Sequence, residues 1–270
     1  MSQLSAVLNT TLTLIGQFQN ALGTQPTAAA AEAAAQDAEA LPLLTASSSA
    51  LKAQVTKLSL LAITSPFTQS AICTVLRDLN ESVLPSIVTA ALLVTPAQHT
   101  KAFNSEVIAL VKTTLAELLN LVSEVKRVGD RKDQEKKDNK KENDLSKAEK
   151  DVVTIATGRV WDACDTVTDV ANNGVVGFVM RRVEQWRDLV RDAVEEIEDW
   201  DPEEDGDEFF DELLGDDGKE GEDKKDSDDD DEDDEDGDET AALQEHKKST
   251  IRFLKPVVQV YPAIINNRLK

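Results

Sequence analysis

The chain has 270 residues, 40% of them hydrophobic but only 4% aromatic, and a formal net charge of −23. Its core must be aliphatic, and 11 glycines with 8 prolines are too few for a turn-rich all-β protein. The charge is local: 29 acidic residues stand against 3 basic ones between Glu195 and Glu239, leaving 23 acidic and 26 basic elsewhere. A near-neutral body therefore carries one strongly negative segment.

Residues 2–22 read as a first helix, with Leu4, Val7, Leu8, Leu14, Ile15, Phe18 and Leu22 on one side. Gly23 and Pro26 stop it. Residues 27–44 are Ala-rich, favour helix locally and offer little area to bury, which marks a linker. Residues 45–63 give a second core helix and 67–94 a third, kinked or split near Leu84 because Pro85 falls inside its periodic run. Thr95-Pro96 opens the next turn. The central helix spans 101–128, where Val107, Val111, Leu115, Leu118, Val122 and Val125 recur at steps of three and four. Leu110, Leu119 and Val128 widen that stripe, so more than one neighbour is expected. Such a helix is stabilised chiefly by packing and needs partners.

Residues 129–145 are charged throughout and read as an exposed loop or an extension of the flanking helices. The apolar period resumes over 146–170, and Asn172-Asn173-Gly174 ends that helix through a residue at positive φ. A last long helix covers 175–200. The acidic tract, 201–240, is expected to be a disordered linker. Residues 241–270 form an incomplete C-terminal helical segment, interrupted by Pro256 and Pro262. The whole is an all-α chain whose residues 1–200 make an up-and-down bundle of five to six long antiparallel helices.

No catalytic constellation assembles. His99 and His246 lie in different segments, and neither a nucleophile–base pair nor a zinc site can be built around them. No enzyme, cofactor or metal is expected. Cys73 and Cys164 are too few for a disulfide framework and read as reduced, buried thiols. The N-terminus lacks a signal-peptide pattern, and no apolar run is long enough to span a bilayer. Asp201 to Glu212 partly matches a calcium loop, but Glu208 stands where an apolar residue is needed, so the match is read as chance. Ser227, ahead of Asp228–Asp231, is a phosphorylation acceptor in acidic context. Lys126-Arg127, Lys136-Lys137 and Lys140-Lys141 loosely resemble a two-part import signal, although the interspersed acids favour a solvated loop. Without interleaved aromatics the stretch is also a poor nucleic-acid platform. Trp161, Trp186 and Trp200 are assigned to core packing.

Two short stretches carry a resemblance: Thr56-Lys57-Leu58-Ser59-Leu60 and Val160-Trp161-Asp162-Ala163-Cys164. Their order, and the acidic insertion after Trp200, resemble the cyclin-D-binding protein family, also called GCIP. The similarity covers about residues 45–200. It implies a talin- and vinculin-like bundle and a non-enzymatic cell-cycle regulator that binds D-type cyclins and helix-loop-helix transcription regulators in nucleus and cytoplasm. Family members usually continue past the insertion with several more helices, whereas this chain stops at Lys270. The leading expectation is a protein-binding module that docks partner helices. The alternative is an acidic chaperone or decoy for histones or other basic proteins. Neither direct nucleic-acid binding nor membrane binding is expected.

Overall fold

A computed structural model describes residues 3–23, 40–137, 144–201 and 235–269, and all regular structure among them is helical. The chain divides into two compact units, residues 1–178 and 179–270. This boundary falls inside the last long helix. Between 179 and 200 only Val183 and Val194 are buried, so the dense core ends near Phe178.

In the first unit, α1 (Gln3–Ala21) buries Leu4, Leu8, Thr11 and Ile15. The Thr11 hydroxyl donates to the Val7 carbonyl at 3.0 Å, so its burial leaves no orphaned donor. Helix α2 (Ala40–Ile63) presents Leu44, Leu51, Val55 and Leu58 to the core. It begins before residue 45: Pro42 lies in its first turn, where a missing N–H costs nothing. The remainder of the Ala-rich segment, 27–39, lies outside the described residues.

Pro85 acts as expected. Helix α3 (Gln69–Asp78) runs into a π-helical turn, Leu79–Val83, and then α4 (Leu84–Leu93) with the proline in its first turn. The Leu84 N–H donates to the Leu79 carbonyl, five residues back. The wider turn relieves the clash of the proline ring with the carbonyl four residues earlier.

Helix α5 (Lys101–Lys137) is capped by Thr100, whose hydroxyl accepts the Phe103 N–H at 3.2 Å. Val107, Val111, Leu115, Leu118, Val122 and Val125 are all buried, as the stripe predicted, and Phe103 extends the buried row by one turn. The charged stretch does not begin a loop at Gly129, because α5 continues to Lys137. Lys132 is only 5% exposed, so part of this charged run packs inward. Residues 138–143 lie outside the described residues.

Helix α6 (Lys147–Asp199) opens on a capping box the sequence analysis passed over, Ser146-Lys147-Ala148-Glu149. The Ser146 N–H donates to Glu149 Oε2 at 2.9 Å and the Glu149 N–H to Ser146 Oγ at 3.3 Å. Gly174 interrupts the helix at φ 60°, ψ −161°, the expected positive-φ break. That backbone geometry suits a residue without Cβ.

Cross-contacts set the directions. Leu4 approaches Gly129, and Lys126 donates to Asn9 Oδ1 at 2.7 Å, so α1 and α5 run antiparallel. Thr45 meets Asn172, Lys52 meets Asp165 and Thr56 meets Trp161, so α2 and α6 do too. Phe103 touches Phe178 while Arg131 reaches Glu149, which makes α5 and α6 antiparallel as well. The first unit is the up-and-down bundle expected, with α3 and α4 forming one of its segments.

In the second unit, the distal part of α6 is joined by α7 (Glu235–Ile264) and a π-helical turn, Ile265–Leu269. Lys247 donates to the Glu198 carbonyl at 2.9 Å and to the Trp200 carbonyl, satisfying acceptors at the end of α6. Lys255 pairs with Glu198. The expected interruption at Pro256 and Pro262 does not occur: both lie inside α7. Each removes one backbone donor, and the surrounding turns keep enough bonds to carry the helix across. Of the acidic tract, side chains are described only for Asp201.

Candidate interaction surface

The two motifs that carry the family resemblance meet in space. Trp161 Nε1–H donates to Thr56 Oγ1 at 3.2 Å, and the Lys52 ammonium sits 6.0 Å from the Trp161 ring centroid. Ser48 donates to the Cys164 carbonyl at 2.9 Å. Leu58, Val160 and Cys164 are buried, so these motifs chiefly hold α2 against α6. Burial pushes the Cys164 thiol up to about 11, which leaves it protonated and inert. Cys73 is also buried and raised by desolvation; both cysteines are free, as expected.

The tryptophan assignment needs correcting. Trp161 is 37% exposed and Trp186 55% exposed, while Trp200 is half-buried. They lie where helices meet solvent, because the core inside is filled by aliphatic side chains. His99 sits in the turn before α5, where its backbone N–H donates to the Thr95 carbonyl at 2.9 Å and its ring stacks on Phe103. The basic pairs are not a loose solvated loop either. Lys126 and Arg127 lie on α5, the first bonded to Asn9 and the second paired with Glu124 at 2.8 Å. Lys140-Lys141, Ser227 and all of the calcium-like loop beyond Asp201 lie outside the described residues. Among the described residues no group of side chains could hold a metal ion, and no helix is long and apolar enough to cross a membrane.

The surface feature sequence reasoning missed is a groove between α5 and α6. One cleft of about 350 Å³ is lined by Arg127, Val128, Arg131, Glu149, Val152 and Val153. A second, of about 390 Å³, continues along Asn120, Ser123, Ile155, Ala156 and Arg159. Val152 and Ile155 are 44% and 58% exposed on its floor. Its rim is charged. Glu124 pairs with Arg127, and Arg131 bridges Glu135 and Glu149. The available signal was Val152 and Ile155 interrupting an otherwise polar face of α6.

Glu149 is held at about 2, below its ordinary 4.5, first by the Arg131 guanidinium and then by Ser146. Because its folded value is depressed, the stabilisation it brings is complete above about 4.5 and lost as pH falls through about 2. The Glu149→Gln chain should therefore show a flatter decline of unfolding midpoint with acidification over that window. An identical pH profile for the two chains would detach Glu149 from stability.

The first unit is thus an all-helical bundle with an open, charge-edged apolar groove, a shape that can seat an amphipathic helix. The family model described as Grap2 and cyclin-D-interacting, N-terminal, matches residues 43–203. The chain belongs to that family, as the resemblance implied. No curated protein and no solved structure matches it.

Proposed function

We propose that this chain is a non-enzymatic binding module in cell-cycle or transcriptional control, whose α5–α6 groove docks a helix of a cyclin or a helix-loop-helix regulator. The observation that carries this reading is the exposure of Val152 and Ile155 on the groove floor, between the ionic rims of α5 and α6. Amphipathic helices bind such grooves by seating apolar residues at helical spacing while charges at the edge set orientation. Membership of a family described as cyclin-D-interacting supports partners of this kind. The proposal puts the protein in cytoplasm and nucleus, where those partners act.

Ile155→Asp places a carboxylate on the floor without touching the core. With a purified D-type cyclin and a helix-loop-helix protein as probes, the substitution should weaken capture of the bound partner at least ~10-fold, equivalent to about 1.4 kcal/mol. Far-ultraviolet circular dichroism should be unchanged. Undiminished capture by the substituted chain would move the docking site elsewhere.

A further inference from the structure

Beside the exposed pair on the groove floor stands a cation without a partner. Arg159 lines the second cleft together with Ile155, Asn120, Ser123 and Glu124. It is exposed and takes part in no hydrogen bond or ion pair among the described residues. The other two arginines of the groove are neutralised within the chain. Arg127 pairs with Glu124, and Arg131 bridges Glu135 and Glu149. Glu124, the one acid lining the second cleft, already accepts from Arg127 with both carboxylate oxygens, at 2.9 and 2.8 Å. The neutral groups at this end are committed to α5: Ser123 Oγ donates to the Leu119 carbonyl at 2.8 Å and Asn120 Nδ2 to Glu117 Oε2 at 3.4 Å. Asp162, three residues along α6 from Arg159, is turned ~60° away and makes no ion pair with it.

Its position makes that charge matter. Val152, Ile155 and Arg159 fall within an arc of ~60° on α6, and Arg159 stands about 6 Å beyond Ile155 along the axis. Whatever covers the two apolar residues therefore covers Arg159 as well. A guanidinium shut away from water without an acceptor is costly. Its planar fork is matched by a carboxylate, which accepts two N–H bonds at once. A lysine or arginine in the same place would add like-charge repulsion.

Resting on the docking role of the groove, we propose that Arg159 selects the partner helix through a carboxylate set one turn beyond that helix's apolar contacts. Helices that cross at the shallow angle usual in bundles stay in register over two turns. The docked segment thus carries an Asp or Glu with large apolar residues four and seven positions away on one face, in whichever direction it runs. The ion pair also orients it. Its acidic end lies toward Arg159, because the carboxylates at the other end of the groove are already held by Arg131.

The test uses the full chain with the D-type cyclin and helix-loop-helix probes, and the variants Arg159→Glu, Arg159→Lys, Ile155→Asp and Lys101→Glu. Lys101 is an exposed control at the start of α5, ~28 Å along the helix from Asn120 and well beyond a Debye length. Arg159→Glu should weaken capture of the bound probe at least ~5-fold at about 0.05 M salt, with the loss shrinking toward about 0.5 M. Arg159→Lys keeps the charge and should stay within ~3-fold of the unsubstituted chain, and Lys101→Glu within ~2-fold. Equal losses for Arg159→Glu and Lys101→Glu overturn the proposal, since overall charge would then explain both. Stronger capture by Arg159→Glu also overturns it, because the occupant would be basic. If Ile155→Asp lowers capture while Arg159→Glu leaves it undiminished, the carboxylate contact is wrong and the groove remains the docking site. Capture undiminished in both removes the groove and the contact together.

Discussion

Replacing Phe103 by Ala is expected to destabilise the first unit by about 3–5 kcal/mol, the range for deleting a buried aromatic ring. Phe103 is fully buried in the first turn of α5. Its ring stacks on His99 at 5.6 Å between centroids and meets Phe178 edge-on at 5.7 Å. One side chain thus joins the turn before α5 to the stretch of α6 after the Gly174 break. Alanine would forfeit the ring contacts and leave a cavity at a place where three chain segments converge. It would also loosen the packing around His99 Nδ1 and Thr95 Oγ1, which are buried without hydrogen-bond partners. Phe103→Leu keeps most of the volume and should cost less than about 1.5 kcal/mol. Denaturant titrations followed by circular dichroism separate the two. The midpoint should move while the slope is retained, and a loss below about 1 kcal/mol for the alanine chain would mean that the ring is not packed as described.

The second large effect separates two leucines of one motif. Leu58→Ala should cost about 2–5 kcal/mol, whereas Leu60→Ala should lie within about 0.5 kcal/mol of the unsubstituted chain. Leu58 is fully buried and Leu60 is 55% exposed. Two residues turn ~200° around a helix, so the pair faces opposite ways. If Leu60 proved as costly as Leu58, α2 would be rotated about its axis from the placement found here. The expected contrast also says what the motif is for. Thr56 through Leu60 holds α2 against α6 through Leu58 and through the Thr56–Trp161 hydrogen bond. The groove that would meet partners is built from other residues.

Much of the bundle was legible beforehand because its determinants are local. The 3.6-residue period of the α5 stripe named the buried positions from Val107 to Val125, and each is buried. Pro85 announced a break that the π-helical turn supplies, and Gly174 announced a positive φ that it adopts. Both follow from one residue's own covalent geometry. Ser146-Lys147-Ala148-Glu149 was equally readable as a helix start and was passed over amid the surrounding charge. The same charge left residues 129–137 open between a loop and an extension of the flanking helix, and the extension is what forms. A run without apolar period looks like a loop, yet Arg131 and Lys132 find Glu135, and Arg131 also finds Glu149, within helices. Prolines misled at 256 and 262, since a lost donor weakens a helix without always ending it.

The amino-acid sequence by itself determined that this protein is helical, where most of its helices break, which residues carry its apolar stripes, and that its negative charge is confined to one tract. These properties arise from backbone geometry and from side-chain chemistry within a few residues of each site. Tertiary structure alone decided that Trp161 lies at a rim bonded to Thr56, that Lys132 is enclosed, and that α5 and α6 leave a groove floored by Val152 and Ile155. Whether a given helical face is covered depends on which distant segment lies against it. Residues brought together from positions such as 56 and 161 leave no periodic mark on either neighbourhood.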